Sequence, residues 1–226
     1  MFLLVVWGSM EIDGGRRKFT YSFASAYKMF MPIVERAGFS DRRRDIIGQT
    51  SGKVLEIGAG TGLNLPYYPD GVDLTVEEPD SDMLKILRPK VHQRGIKLIE
   101  APINDLIFSE VQPASFDCVV STLVLCSVTN LAESLRAISK LLAPGGRFMF
   151  VEHVVTPGAY EFIQRIVTPA WKRVAGGCHL DRDLLGALDR SDMILTDLLR
   201  FNFPLGKPLI PHGITGTARL KSDFFG

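Results

Sequence analysis

The sequence has few cysteines and almost no excess of charge. Cys118, Cys126 and Cys178 are an odd number of cysteines with no C-x-x-C pair, which argues against a disulfide framework and against a structural zinc site. The 26 basic and 25 acidic side chains leave a formal net charge of +1, so no overall field favours nucleic acid as a partner. We therefore expect a small-molecule substrate, a reducing cytoplasmic location and no bound metal.

Long hydrophobic runs are also absent. Met1–Trp7 is apolar but far shorter than the ~20 residues of a membrane-spanning helix, and it lacks the basic start of a signal peptide. Three interpretations of residues 1–9 stay open: an artefact ahead of a start at Met10, a docking strand or helical turn, and an interfacial membrane anchor. Gly8–Ser9 favours the first of these. We expect no transmembrane segment and at most weak peripheral contact with a membrane.

A length of 226 residues and a hydrophobic content of 46% suit one globular domain. No internal repeat divides the chain, and no linker rich in glycine, serine or proline does so. We expect residues 1–50 to form a helical lid that is part of the same domain. Residues 51–226 are expected to form the core, with a substrate loop insertion at about 156–190.

Two helices are predicted in the first 50 residues. Apolar residues recur at helical spacing from Phe19 to about Ala37, and Gly38 follows as a stop signal. A second helix is predicted over residues 41–48, because Ser40 or Asp41 can cap its first turn. Arg42–Arg44 are then expected on a solvated face of that helix.

After residue 52, short apolar strands alternate with helices. Strands are predicted over 53–57, 73–77, 97–101, 116–121, 146–153, 194–203 and 210–220, and helices over 62–68, 81–94 with fraying at Pro89, 131–142 and parts of 156–188. This order predicts an α/β, Rossmann-like fold with a mostly parallel seven-stranded sheet and helices on both faces. The last two strands predict a C-terminal antiparallel hairpin at the sheet edge.

A glycine-rich loop follows the first of these strands. Residues 56–62 read E-I-G-A-G-T-G, and such glycines let the backbone approach a ligand at the carboxyl end of a strand. Dinucleotide enzymes favour G-x-G-x-x-G, which seats a pyrophosphate on the following helix. Here Gly62 comes one position earlier and Leu63 takes the usual place, which favours S-adenosylmethionine (SAM), a cofactor without phosphate.

An acidic residue follows the second predicted strand. Glu78 lies 20 positions after Gly58, at about the separation at which an acid accepts hydrogen bonds from ribose hydroxyls. Glu77 is the alternative, but the turn at 79–84 into an apolar helix favours Glu78. A free ribose suits this carboxylate better than a 2′-phosphate, which it would repel.

These motifs together resemble the class I SAM-dependent methyltransferases. The sequence is similar to that class at Val54–Gly62, Glu78, Phe116–Ser121 and Leu141–Arg147. It also resembles the methyltransferase-like group that includes microsomal alkyl-thiol methyltransferases and uncharacterised bacterial proteins. That closer resemblance lies at Ser121–Val128, Val151–Val154, Pro169–Trp171 and Gly176–Arg182. It implies methyl transfer from SAM to a small thiol, with S-adenosylhomocysteine as the product.

The resemblance also implies which residues bind the cofactor. They are Tyr27, Glu56, Gly58, Ala59, Gly60, Thr61, Gly62, Asn64, Glu78, Pro79, Pro102, Ile103, Asn104, Ser121, Thr122 and Leu123. Residues 102–104 are expected to flank the adenine and residues 121–123 to lie under the methionine portion. Many members of the class carry an acid where Pro102 stands, so here Asn104 or Asp105 takes that contact, or nothing does.

The acceptor side is expected near the carboxyl end of the fifth strand. His153 is the first candidate for a base or thiolate stabiliser, with a structural histidine as the alternative. Asp181 is the second catalytic candidate, in a loop that Gly176 and Gly177 allow to bend over the site. The expected substrate pocket contains Cys126, His153, Trp171, Cys178 and His179.

The acceptor atom stays open at this stage. A thiol, with a reference pKa of ~8.5, needs only modest help to ionise at neutral pH, whereas a hydroxyl needs a base. Methylation of oxygen, nitrogen or carbon on a lipid amine, quinone or secondary metabolite is the first alternative. A SAM-binding protein without catalysis is the second.

Overall fold

The computed structural model describes residues 8–13, 16–21, 23–108 and 111–225. Most of the segment at 1–9 for which three interpretations were open therefore lies outside the described residues, apart from Gly8 and Ser9, which begin a strand. Within the described ranges, no helix is long and apolar enough to span a membrane.

The chain begins with a two-stranded antiparallel ribbon, β1 (Gly8–Asp13) and β2 (Arg16–Tyr21). The predicted start of the first helix is therefore wrong, since Phe19 pairs with Met10 in this ribbon. The short run of polar and apolar residues around Phe19 fits either a strand or the first turn of a helix, and the pairing with β1 selects the strand.

Helix α1 (Phe23–Val34) follows and leads through a π-helical turn at Glu35–Phe39 into α2 (Ser40–Ile47). Gly38, the predicted stop signal, has a φ of +107° within that turn. The predicted cap of α2 is wrong, because the helix begins directly from the turn and the Ser40 hydroxyl donates back to the Glu35 carbonyl.

The remaining elements form the predicted α/β core. They are β3 (Lys53–Ile57), β4 (Asp73–Glu77), α3 (Ser81–Gln93), β5 (Lys97–Ile99), β6 (Phe116–Thr122), α4 (Leu131–Leu141), β7 (Leu142–His153), α5 (Ala159–Val174), α6 (Leu184–Asp189), β8 (Met193–Asn202), β9 (His212–Leu220) and α7 (Ser222–Phe225). The sheet order is β5-β4-β3-β6-β7-β9-β8. Strands β3 to β7 pair in parallel, and β9 runs antiparallel to both β7 and β8. The Rossmann-like seven-stranded sheet and its C-terminal antiparallel hairpin are confirmed.

Two local predictions are wrong. No helix begins at Gly62; the segment makes only a 3₁₀ turn at Leu65–Tyr67, because Gly62 has a φ of +77° and Pro69 favours extended backbone before it. Helix α3 does not fray at Pro89 but continues to Gln93.

The sheet residues divide between two apolar clusters. Leu55 of β3 packs in one cluster with Leu135 and Ile138 of α4. Val54, one residue earlier, packs in the other with Val34 of α1 and residues of α3. This alternation is expected of a strand covered on both sides, because successive side chains point to opposite faces.

The strand order locates the ligand site. From β3 the chain proceeds to β4 on one side and later returns to β6 on the other side. Such a reversal opens a crevice outside the carboxyl ends of the two central strands, here after Ile57 and Thr122.

Candidate active site

A cavity of about 430 Å³ opens at this reversal, a size typical of small-molecule sites. Ten of the predicted cofactor-binding residues line it: Tyr27, Gly58, Gly60, Glu78, Pro79, Pro102, Ile103, Asn104, Thr122 and Leu123. They come from α1, the glycine loop, the end of β4, the 102–104 segment and the end of β6. The tertiary fold thus brings together residues almost a hundred positions apart.

The glycine loop turns its backbone toward the cavity. Gly58 and Gly60 have φ values of +56° and +58°, a left-handed conformation that glycine adopts at little cost. A Cβ on Gly58 would lie 2.6 Å from the Val124 side chain, whereas a Cβ on Gly60 would meet only the Gly58 carbonyl oxygen at 4.0 Å. Gly60 therefore leaves open space for a ligand, while Gly58 permits close packing of the loop.

Glu78 holds this loop and faces the cavity. Its Oε2 accepts a hydrogen bond from the Gly60 amide at 2.6 Å, and its Oε1 accepts one from the Asp80 amide at 2.8 Å. Burial raises the pKa of this carboxyl, and the two backbone donors oppose that rise. Each oxygen keeps a lone pair for a further donor, so the carboxylate suits a ribose diol.

The neighbouring Glu77 also binds the glycine loop, at Gly58. Its Oε2 accepts a hydrogen bond from the Gly58 amide at 2.8 Å, and its side chain is buried. Burial raises the pKa of Glu77 to about 8, with the Gly58 amide acting in the opposite direction. Glu77 is therefore mostly protonated at neutral pH in the folded protein.

This proton makes the stability of the cofactor-free protein depend on pH. An unfolded glutamate loses its proton near pH ~4.3, so the folded state holds more protons from there up to about pH 8, and stability falls as pH rises through that window. We expect Glu77→Gln to stabilise the protein relative to the wild type by on the order of 5 kcal/mol at pH 8 and by little at pH 4.5. Urea unfolding across this range measures the difference. Glu133→Gln, at an exposed position, is the control, and a Glu77→Gln difference that does not change with pH would contradict the assignment.

One arginine of the triplet Arg42–Arg44, which was predicted to be solvated, is buried beside the glycine loop, whereas Arg44 is exposed as predicted. Arg43 is only 2% exposed. Its Nε donates to Glu35 Oε1 at 2.9 Å, and its Nη1 donates to Asn64 Oδ1 at 2.8 Å. The spacing of residues along α2 could not predict that Arg43 is buried, because its partner Asn64 follows strand β3.

The hydrogen bonds continue from Asn64 to the acid of the glycine motif. Asn64 Nδ2 donates to Glu56 Oε1 at 2.9 Å and to Thr122 Oγ1 at 3.1 Å, and the Tyr68 hydroxyl donates to Glu56 Oε2 at 2.9 Å. Burial raises the pKa of Glu56 to about 7, against the opposing effect of these donors. Glu56 and Asn64 thus lie behind the cavity wall and fix the loop.

Four further predicted cofactor residues also lie outside the lining: Ala59, Thr61, Gly62 and Ser121. The Ala59 amide donates to the Glu77 carbonyl, and the Thr61 carbonyl accepts from Lys90 Nζ. A Cβ on Gly62 would lie 2.8 Å from the Leu65 side chain, so this glycine serves packing. Direct contact of these residues with the cofactor stays a prediction.

Glu152 is a structural residue that the sequence reasoning missed. It is 1% exposed, and its Oε1 accepts hydrogen bonds from the Ser121 hydroxyl and the amides of Val124 and Leu125. It therefore holds the turn after β6, where Leu123 has a φ of +58°. Glu152 belongs to the Val151–Val154 stretch that carries the family resemblance, but only the fold shows its partners.

The 102–104 segment, which is predicted to flank the adenine, lines the cavity. Asn104 lines the cavity, and its Oδ1 accepts a hydrogen bond from Ser134 Oγ at 3.1 Å. Asp105, the alternative at this position, is exposed and is not among the lining residues. Of the two residues predicted for this contact, Asn104 is the one that lines the cavity, and its contact with an adenine amino group stays a prediction.

The predicted acceptor residues form a group of their own next to the cavity. His153 Nε2 lies 3.1 Å from Cys178 Sγ, and both side chains are buried beside Cys126. His179 Nδ1 lies 3.8 Å from Asp181 Oδ1, and both are half-buried. None of these residues, nor Trp171, is among the lining residues.

The lining contains several residues that the sequence reasoning did not select. They are Phe23, Asp80, Met83, Val124, Ser127, Val128, Thr129, Ser134 and Gly176. Ser127 and Val128 belong to a stretch that carries the family resemblance, which is a usable signal. No sequence signal marked Phe23 or Ser134, because these residues reach the cavity only through the packing of α1 and α4.

The predicted bend at Gly176 does bring its loop to the site. Gly176 has a φ of +59°, and a Cβ there would lie 2.5 Å from the Phe23 ring. Helix α1 and the loop after α5 thus meet over one end of the cavity.

Comparison with known proteins agrees with this site. A family model described as a methyltransferase domain matches residues 55–150. The chain is 33% identical over 208 residues to the thiol S-methyltransferase TMT1A of Homo sapiens, which covers 88% of this chain and 84% of that protein. It is 36% identical over 168 residues to TMT1B of Rattus norvegicus, with coverage of 71% and 67%.

A solved structure shows the same fold. The geranyl diphosphate C-methyltransferase of Streptomyces coelicolor A3(2), in complex with S-adenosyl-L-homocysteine, has a TM-score of 0.63 at 10% identity and covers 82% of this chain and 79% of its own. The open backbone at Gly60 and the acid at Glu78 fit the same cofactor. The chain therefore belongs to the family of SAM-dependent methyltransferases that contains the thiol S-methyltransferases TMT1A and TMT1B.

Proposed function

We propose that this protein transfers the methyl group of SAM to the sulfur of a small thiol. The observation that carries the proposal is the similarity to TMT1A and TMT1B, whose names state thiol S-methylation, over 84% and 67% of their lengths. The chemistry of the cavity supports it independently of the names.

The acidic groups of the cavity are confined to one segment. Every carboxylate among the described lining residues belongs to Glu77, Glu78 or Asp80, the segment that supports the glycine loop. Phe23, Leu123, Val124 and Val128 supply apolar wall, and α1 with the loop at Gly176 closes one end. An apolar acceptor with one reactive atom fits such a wall.

This wall suits an acceptor that needs no strong base. Bound SAM supplies a methyl group on a positively charged sulfur, which is already activated for transfer. A thiol ionises near pH ~8.5, so at neutral pH a few per cent of it is thiolate, and the chain has only to align it and exclude water. A hydroxyl would need a general base beside the acceptor, and among the described lining residues no carboxylate lies outside positions 77–80.

For His153 and Asp181, the two predicted catalytic residues, we propose positioning roles. His153 is held against Cys178, two residues after Gly176 of the cavity wall. Asp181 lies near His179, whose backbone amide donates to the Cys126 carbonyl. Both residues therefore support the loop that closes the cavity.

The acceptor class is tested with a matched panel of benzyl mercaptan, benzyl alcohol and benzylamine. We expect S-adenosylhomocysteine to form with the thiol alone, at a rate that rises with pH toward the pKa of the thiol. Turnover of only the alcohol or only the amine would contradict a thiol acceptor and would identify oxygen or nitrogen as the methylated atom. Measurable SAM binding with no turnover on a wider thiol panel would favour a SAM-binding protein without catalysis.

The organisation of the chain completes the proposal. We propose that residues 1–50 act as a lid on a core of 51–226, with the substrate loop insertion at about 156–190; the contact of α1 with Gly176 supports this. The two apolar clusters support helices on both faces of the sheet.

We also propose that the protein works in the reducing cytoplasm without nucleic acid, which its unbridged cysteines and near-zero charge support. Weak peripheral contact with a membrane is supported by exposed apolar side chains on two helices, namely Met29 and Ile33 on α1 and Phe162 and Ile166 on α5.

A further inference from the structure

We propose that Cys126, His153 and Cys178 bind one Zn²⁺ ion. One ligand atom from each residue, two Sγ and an imidazole nitrogen, lies within 4.8 Å of the others. The three side chains are only 3%, 3% and 9% exposed. The proposal differs from the expectation from sequence, which was no metal site because the odd number of cysteines includes no C-x-x-C pair; the fold brings together two cysteines that are 52 positions apart.

Three separate segments bring the ligands together. Cys126 lies in the turn after β6, His153 is the last residue of β7, and Cys178 follows α5. Backbone hydrogen bonds join these segments without any ion: the His179 amide donates to the Cys126 carbonyl at 2.8 Å, and the Val155 amide, two residues after His153, donates to the Arg182 carbonyl at 3.1 Å. The donor set is therefore largely preorganised.

The chemistry of the donors selects the cation. Thiolate sulfur and imidazole nitrogen are ligands of zinc and similar borderline or soft ions, whereas magnesium and calcium require oxygen. Binding releases the protons of the two thiols to solvent. Two thiolates and one neutral imidazole then balance the charge of Zn²⁺, so the complete site adds no net charge to the protein interior.

The ligand atoms face one another. His153 Nε2 lies 3.1 Å from Cys178 Sγ, and Cys126 Sγ, which also contacts the Leu123 carbonyl and the Ser127 hydroxyl at 3.6 Å, lies within 4.8 Å of both residues' ligand atoms. An ion between Nε2 and the two sulfurs would give these three buried groups a common partner. Three protein ligands also leave a fourth position of a tetrahedral site for water or another ligand.

The position of the site gives the ion a role in the cavity. Ser127, next to Cys126, and Gly176, two residues before Cys178, both line the cavity. An ion shared by Cys126, His153 and Cys178 would hold these two walls at a constant separation. The site is thus inferred independently of which acceptor the enzyme methylates.

The experiment measures metal rather than methyl transfer. The full chain is purified, freed of metal with a chelator, loaded with Zn²⁺, dialysed and analysed by mass spectrometry for zinc. We expect one ion per chain, and Co²⁺ in its place should show intense d–d bands of a tetrahedral site with a thiolate-to-cobalt charge-transfer band. Cys126→Ser and Cys178→Ser should each weaken zinc binding by about 100-fold or more.

Cys118→Ser is the matched control, since Cys118 is a buried cysteine of β6 outside the cluster and this variant should keep its ion. If a cluster variant fails to fold, alkylation of the wild type decides: Zn²⁺ should slow modification of Cys126 and Cys178 together. A folded wild type that binds no Zn²⁺, or that keeps full affinity in both cluster variants, would overturn the proposal. Either result leaves thiol methylation to be judged by its own assay.

Discussion

Arg43→Met is expected to destabilise the protein by about 3–5 kcal/mol, as does loss of one partner from a buried ion pair. The guanidinium is almost completely buried and binds Glu35 at 2.9 Å and Asn64 at 2.8 Å. Methionine keeps much of the volume but leaves the Glu35 carboxylate without its cation and Asn64 without its donor. Urea unfolding of the cofactor-free protein at neutral pH measures the loss.

The basic triplet supplies its own control. Arg44 lies one residue further along the same helix, and its side chain is 61% exposed in an ion pair with Asp41. Arg44→Met should change the free energy of unfolding by less than about 1 kcal/mol, because exposed pairs contribute little. Equal effects of the two substitutions would show that Arg43 is not a buried structural cation.

Glu78→Ala is expected to weaken SAM binding by about 100-fold, which corresponds to two lost hydrogen bonds to a charged acceptor. The substitution removes the predicted acceptor for the ribose and also leaves the amides of Gly60 and Asp80 without their acceptor. Isothermal titration with SAM measures the dissociation constant directly. Unfolding of the cofactor-free variant shows whether the loop itself is lost.

Two further variants test the identity of this acid. Glu78→Gln keeps one acceptor oxygen and should show an intermediate loss of affinity. Glu100→Ala removes an exposed carboxylate that pairs with Arg88 and should leave binding unchanged. Full affinity in Glu78→Ala would assign the ribose to another residue, with Glu77 the first alternative.

Regular elements with a strong local pattern were predictable. The strands at 53–57 and 73–77 were predicted at their observed bounds, and the hairpin of β8 and β9 was predicted within two residues at each end. Their apolar runs and flanking turns are local features, so these segments can be identified as strands without knowledge of distant residues. Phe19 and the segment at 62–68 were mistaken because strand pairing and loop geometry depend on partners elsewhere.

The cofactor side of the site was predictable for a similar reason. Gly58, Gly60 and Glu78 stand at strand ends, and the carboxyl ends of neighbouring parallel strands meet at one edge of the sheet. Residues that line the site from helices, such as Phe23 of α1 and Ser134 of α4, could not be predicted, because the packing of the helices and not the spacing of residues places them there.

The glycine loop, the acid that follows it and the order of strands and helices determined by themselves that this chain folds as a SAM-dependent methyltransferase. Tertiary structure decided which charges are buried and which side chains share a site. Arg43 meets Asn64, and Cys126 meets His153 and Cys178, only because the fold brings separate segments of the chain together. Burial and proximity depend on all neighbours in space, whereas the spacing of residues reports only neighbours along the chain.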